Sequence, residues 1–172
     1  THAQLTAGIG AARIYGNASP VAAYVHDPLH CGYVFHRAAS FAPGGKALDG
    51  EEALHVEASL EGDAAMTERF IKDLTQKAPP ALAVLWLGHP DSTQHHHPMG
   101  SPEHMRAVHL TDPNIAAVAD MVHKLRARGL DVPFMVGSDH GHETVPGIVA
   151  IEAHSLHHGP QPDAGHRARL AA

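Results

Sequence analysis

Two short stretches hold the side chains best suited to chemistry. In GHPDSTQHHH, Asp91 and His95 lie four apart; in VGSDHGH, Asp139, His140 and His142 crowd into one turn. Carboxylate oxygens and imidazole nitrogens are ligands for Zn²⁺ and similar ions. Adjacent residues on an extended strand point to opposite sides, so Asp139 and His140 can reach one ion only where the chain bends. Gly137 and Gly141 permit that bend. His142 is open to four readings: a further ligand, a substrate contact, a donor to a ligand, or an exposed loop histidine. Of the three consecutive histidines, His95 is read as the ligand and His96 and His97 as solvated. His89, just before Pro90, stays open. Either motif alone arises often by chance. The two together, each after an apolar run, point to a metal site.

The elements that must position these residues follow from the pattern around them. Leu82 to Leu87 (LAVLWL) is apolar without alternation, which predicts a strand buried on both faces of a parallel sheet. Val132 to Val136 (VPFMV) predicts a second such strand, and Trp86 and Met135 are read as core. Ligands of open α/β sheets bind beyond the carboxyl ends of strands, where both motifs sit. Between them, Gly100-Ser101-Pro102-Glu103 opens one helical segment, and Thr111-Asp112-Pro113 starts another. Asp112 is read as its cap, Pro113 as first-turn, and Ile115, Val118, Met121, Val122 and Leu125 as its buried stripe. Gly129 ends it. Upstream, Asp63 is read as the N-cap of a helix to about Lys77, with Met66, Phe70, Ile71 and Leu74 on one face. Ala11 to Tyr15 predicts a short strand, Asn17 to Pro20 a turn, Val21 to Val25 a strand or a helix start, and Arg37 to Gly50 a loop.

Composition sets outer bounds. The 172 residues suit one domain or part of a larger one. A formal charge of −6 argues against a general nucleic-acid binder, and no duplex partner is expected. Cys31 is the only cysteine, so no internal disulfide forms. No apolar run reaches the ~18 residues of a membrane span. Eighteen histidines are unusual, but only those with spacing and context count. Compartment is not assigned.

GHPDSTQHHHPMGSPE followed by FMVGSDHGHETV resembles the type I phosphodiesterase/nucleotide pyrophosphatase family of the alkaline phosphatase superfamily. The resemblance covers about residues 79–145 well and extends weakly upstream through RIYGNASPVAAYV. It implies an α/β fold, a mostly parallel sheet flanked by helices, here a partial alkaline-phosphatase-like fold over 1–145. Residues 146–172 are expected to be a divergent tail without periodicity, consistent with disorder. The resemblance also implies two divalent ions, zinc or manganese. Asp91 and His95 would bind the first, Asp139 and His140 the second. Such a pair would clamp a phosphoryl group for in-line displacement on a small phosphodiester or nucleotide substrate.

The family's nucleophile and one more metal-binding Asp lie upstream of these motifs, and no counterpart is read here. Nor do His154, His157, His158 and His166 fall in the family's motif for a third histidine. The chain is therefore read as a C-terminal portion of a larger hydrolase, without the nucleophile segment. The alternative is a non-catalytic metal-binding or accessory domain, or another superfamily hydrolase acting on phosphomonoesters or phosphonates. A partial sheet would leave an edge or apolar face uncovered, which favours self-association into a homo-oligomer.

Overall fold

The computed structural model describes residues 12–18, 32–76, 79–145 and 147. Two compact units emerge, Thr1–His142 and Glu143–Ala172, and the fold below belongs to the first. The strands are β1 (Ala12–Gly16), β2 (Gly32–His36), β3 (Ala39–Ala42), β4 (Lys46–Leu48) and β5 (Leu82–Trp86). They form one sheet in the order β4-β3-β2-β1-β5. β1 runs parallel to both β2 and β5, whereas β2-β3 and β3-β4 are antiparallel. The sheet is thus mixed, and its α/β class is as expected. Its parallel half leads to the motif after β5.

The helices are α1 (Leu60–Leu74), α2 (Asp91–Gln94) and α3 (Pro102–Ala127). Period-2 alternation puts Tyr15, Phe35 and Leu85 on one sheet face. Helical spacing puts Met66, Phe70 and Leu74 on the face of α1 that meets them. Tyr15 stacks on Phe35 with ring centroids 4.9 Å apart and meets the edge of Phe70 at 5.2 Å. Val118 and Leu125 of α3 complete this core. Met66 is fully buried, so truncating it to Ala would cost about 2–5 kcal/mol.

Asp73 sits beneath this core and is itself buried. Its Oδ2 accepts from the Tyr15 hydroxyl (2.5 Å), from Arg13 (3.0 Å) and from Arg69 (3.2 Å). Burial, and then the Asp73 carboxylate, push the Tyr15 phenol well above its ordinary value. At the other end of the strands, His36 pins the chain after β1. Its Nδ1 accepts from the Ala38 N–H, so Nε2 carries the proton and donates to the Ala18 carbonyl at 3.0 Å.

Several elements differ from expectation. Residues 37–50 are a meander: β3 and β4 flank a turn in which Gly44 and Gly45 hold φ of 80° and 76°, a conformation glycine adopts without steric cost. Asp63 does not cap α1; Ser59 does, accepting from the Gly62 N–H at 3.0 Å. The helix ends at Leu74, short of Lys77, which lies outside the described residues. The two helices expected after Gly100 are one, with Pro113 inside it and Asp112 exposed mid-helix. Pro113 brings no N–H to the His109 carbonyl; an interior proline costs about 3 kcal/mol, which the buried faces around it offset.

Residues 132–136 do not form a strand. They join no ladder, and Phe134, Met135 and Val136 are 39%, 91% and 60% exposed. Apolar composition predicts burial but does not supply a pairing partner, and Pro133 removes one donor a ladder would use. Met135 is therefore a surface residue, and β5 is the last strand on its side of the sheet among the described residues. The segment Val21–Val25 and the tail from 148 onward lie outside the described residues.

Candidate metal centre

β5 ends at Trp86, and the chain turns at once. Asp91 opens the short α2, whose first turn is tied back by Ser92: its N–H (3.0 Å) and hydroxyl (2.8 Å) both donate to the Gly88 carbonyl. Farther on, α3 begins under a Ser101 cap, with the Ser101 oxygen accepting from the His104 N–H at 3.2 Å. His104 links the two helices. Its Nδ1 accepts from the Gly100 N–H at 2.8 Å, so its proton is on Nε2, 3.1 Å from the Gln94 amide. The Gln94 amide must therefore turn its oxygen to that proton.

After α3 the extended segment 130–138 carries the second motif back to the carboxyl end of β5. Arg126 fastens it, donating from two nitrogens to the Val132 carbonyl at 2.9 and 2.7 Å. The convergence is centred on Asp91. His142 Nε2 lies 2.7 Å from Asp91 Oδ1, and His140 Nε2 lies 3.5 Å from the same oxygen. His95 Nε2 approaches the other oxygen at 3.5 Å. The rings of His95 and His140 both meet His142 edge-on, at 5.1 and 4.9 Å. Asp139 stands farther out, its carboxylate 3.7 Å from His140 and 56% exposed. His97 faces Glu103 at 3.9 Å, and His96 and His97 are exposed, as read from the sequence.

One atom each from Asp91, His140 and His142 lie within 4.8 Å of one another. Tetrahedral zinc, with ligand bonds of ~2.0–2.1 Å, separates its ligands by about 3.3 Å. The Asp91–His142 pair, at 2.7 Å, would part slightly to admit an ion, while His140 already stands 3.5 Å from Asp91. One carboxylate and two imidazoles suit zinc or manganese, and a three-ligand set leaves a position open. The residues present thus fit a divalent cation. His142, Asp91 and His140 form the compact group; His95 lies at its border and Asp139 outside it.

The sequence model of the type I phosphodiesterase / nucleotide pyrophosphatase family matches residues 21–163. The chain belongs to this family. No curated protein and no solved structure matches it. The family match spans both motifs, and the geometry brings the two motifs to one point. Among the described residues, no helix is long and apolar enough to cross a membrane.

Sequence reasoning missed the groups that hold this end of the sheet. The sequence reads Asp63 as a cap, leaves His89 open and gives Gly88 no role. The only local signal was the position of Gly88-His89-Pro90 directly after an apolar run.

Proposed function

We propose that this chain carries a metal-dependent phosphohydrolase site for phosphodiester or nucleotide pyrophosphate bonds, at the carboxyl end of β5. The observation that carries the reading is the Asp91–His140–His142 group, drawn from both family motifs. The proposal takes residues 1–145 as the alkaline-phosphatase-like domain and 146–172 as a divergent tail. Divalent ions bound there, zinc or manganese, would supply Lewis-acid stabilisation of the phosphoryl oxygens. Asp91 provides the shared carboxylate, with its two oxygens facing different histidines. His142, 16% exposed at its side chain, is the best-shielded of the imidazoles and fixes one edge of the site. The exposed His140 either closes the first site with Asp91 and His142 or turns with Asp139 to a second ion, and His95 stands at the far oxygen of Asp91.

The test is elemental analysis of the purified protein, with hydrolysis of bis(p-nitrophenyl) phosphate measured before and after chelation. Bound zinc or manganese is expected, reduced by more than about 10-fold in affinity in Asp91→Ala and His142→Ala. Metal retained equally in both variants would overturn the site. Metal lost in both variants, with no turnover above the chelated control, would instead favour a metal-binding module without catalysis.

A further inference from the structure

We infer that Asp63 is a positioning residue for Asp91, holding the turn after β5 in the geometry that presents the metal-binding carboxylate. The inference rests on the metal site proposed above. Asp63 lies in the first turn of α1 and is completely buried. Both of its oxygens are used, and among the described residues no donor comes from a permanently charged side chain. Oδ1 accepts from the Asn17 side-chain amide and from the Gly88 N–H, each at 2.9 Å. Oδ2 accepts from the His89 N–H at 2.9 Å and faces His89 Nδ1 at 3.2 Å. One carboxylate thus gathers the end of β1, the start of α1 and the two residues that follow Leu87.

The route from Asp63 to Asp91 is short and continuous. Asp63 fixes the Gly88 N–H, and the carbonyl of Gly88 receives the Ser92 N–H and hydroxyl. Ser92 is the neighbour of Asp91 in α2. Asp63 likewise fixes the His89 N–H, and one residue further on the carbonyl of Pro90 receives the Thr93 and Gln94 N–H groups. The whole first turn of α2 therefore hangs from backbone groups on either side of the Asp63 contacts. The packing leaves little slack. A Cβ on Gly88 would lie 2.9 Å from the Asn17 carbonyl oxygen, and one on Gly62 would lie 1.9 Å from that of Glu57. A carboxylate suits the position because it accepts at both oxygens. An amide would turn one NH₂ against the N–H of Gly88 or His89.

Zinc affinity read by chelator competition, together with thermal unfolding, tests the inference in Asp63→Asn and Asp73→Asn. Asp73 is a second buried carboxylate of α1, contacting residues at the other end of the strands, and controls for general loss of stability. Both variants are expected to melt at lower temperature. Only Asp63→Asn should also weaken zinc binding, by about 10- to 100-fold, the range for groups that orient ligands. Zinc affinity within twofold of wild type in Asp63→Asn would overturn the inference, as would an equal loss in Asp73→Asn. Should Asp63→Asn fail to fold, Ser92→Ala cuts the same route at a single hydroxyl. It should weaken zinc several-fold, and unchanged affinity there would overturn the inference. A wild-type chain that binds no zinc or manganese would instead remove the metal site itself.

Discussion

Helix α1 carries two buried carboxylates ten residues apart, Asp63 and Asp73, and they are satisfied in opposite ways. Asp73 lies in the last turn, where the carbonyl end of the helix repels a negative charge. It is surrounded by two guanidinium groups and a phenol. Asp63 lies in the first turn, where the unpaired N–H groups of the helix favour an anion, and it is met by an amide, two backbone N–H groups and an imidazole. Among the described residues, the carboxylate at the favoured end of the helix dipole is held without a permanent cation and the one at the opposed end is held by two. The cation-paired end closes the core. The dipole-assisted end is free to hold backbone, and backbone is what a site needs held.

The largest effect expected from breaking this contrast is in Asp73→Ala. It strands Arg13, Arg69 and the Tyr15 hydroxyl around a vacated position. The side chain of Asp73 is 4% exposed, those of the two arginines 18% and 23%. A loss of about 3 kcal/mol is expected, the lower end for removing one partner of a buried pair because both arginines retain some water. Urea unfolding reads it directly, and a loss under about 1 kcal/mol would mean that the arginines are solvated without Asp73.

A smaller effect sharpens the comparison through pH. The Tyr15 phenol has a raised pKa in the folded chain, so the folded state holds its proton more tightly than the unfolded state does. Its contribution is fully present below the unfolded phenol value of ~10 and falls as pH rises beyond it. Unfolding free energy should therefore decline above pH ~10, and Tyr15→Phe should flatten that decline. An identical alkaline slope in wild type and Tyr15→Phe would place the titration elsewhere. Zinc affinity at the proposed site, which runs through Asp91 and not Asp73, should not follow Tyr15.

The contrast also marks what sequence alone could convey. The strand at Leu82 and the helix through Met66, Phe70 and Leu74 were legible because their apolar spacing repeats within a few residues. The family was legible because both motifs stand in order at the right separation. Asp63 was misread as a cap because Ser59 and Asp63 are both good capping types. The choice between them depends on Asn17 and Gly88, far away in sequence. The run at Val132 carried the same apolar signal as β5 yet joined no ladder, since composition speaks of burial and not of pairing. His142 was open to four readings in the sequence, and only the fold brings it to within 2.7 Å of Asp91. The strands of 39–48 were hidden because they span only four and three residues, and Pro43-Gly44-Gly45 between them carries the stronger loop signal.

Pro113 divides α3 into two lengths with different holds on the molecule. The later length is anchored by Val118, Val122 and Leu125, all buried, whereas the earlier one exposes Met105, Val108 and Leu110 and buries chiefly Ala107, His104 and Thr111. Since the proline leaves the His109 carbonyl without its helical donor, backbone amides before it and after it need not exchange with solvent as one cooperative unit. Hydrogen exchange is expected to be faster in the length bearing His104, which borders α2 through Gln94. Protection against exchange would then fall off toward the end of α3 that faces α2, while the amides of the sheet keep theirs.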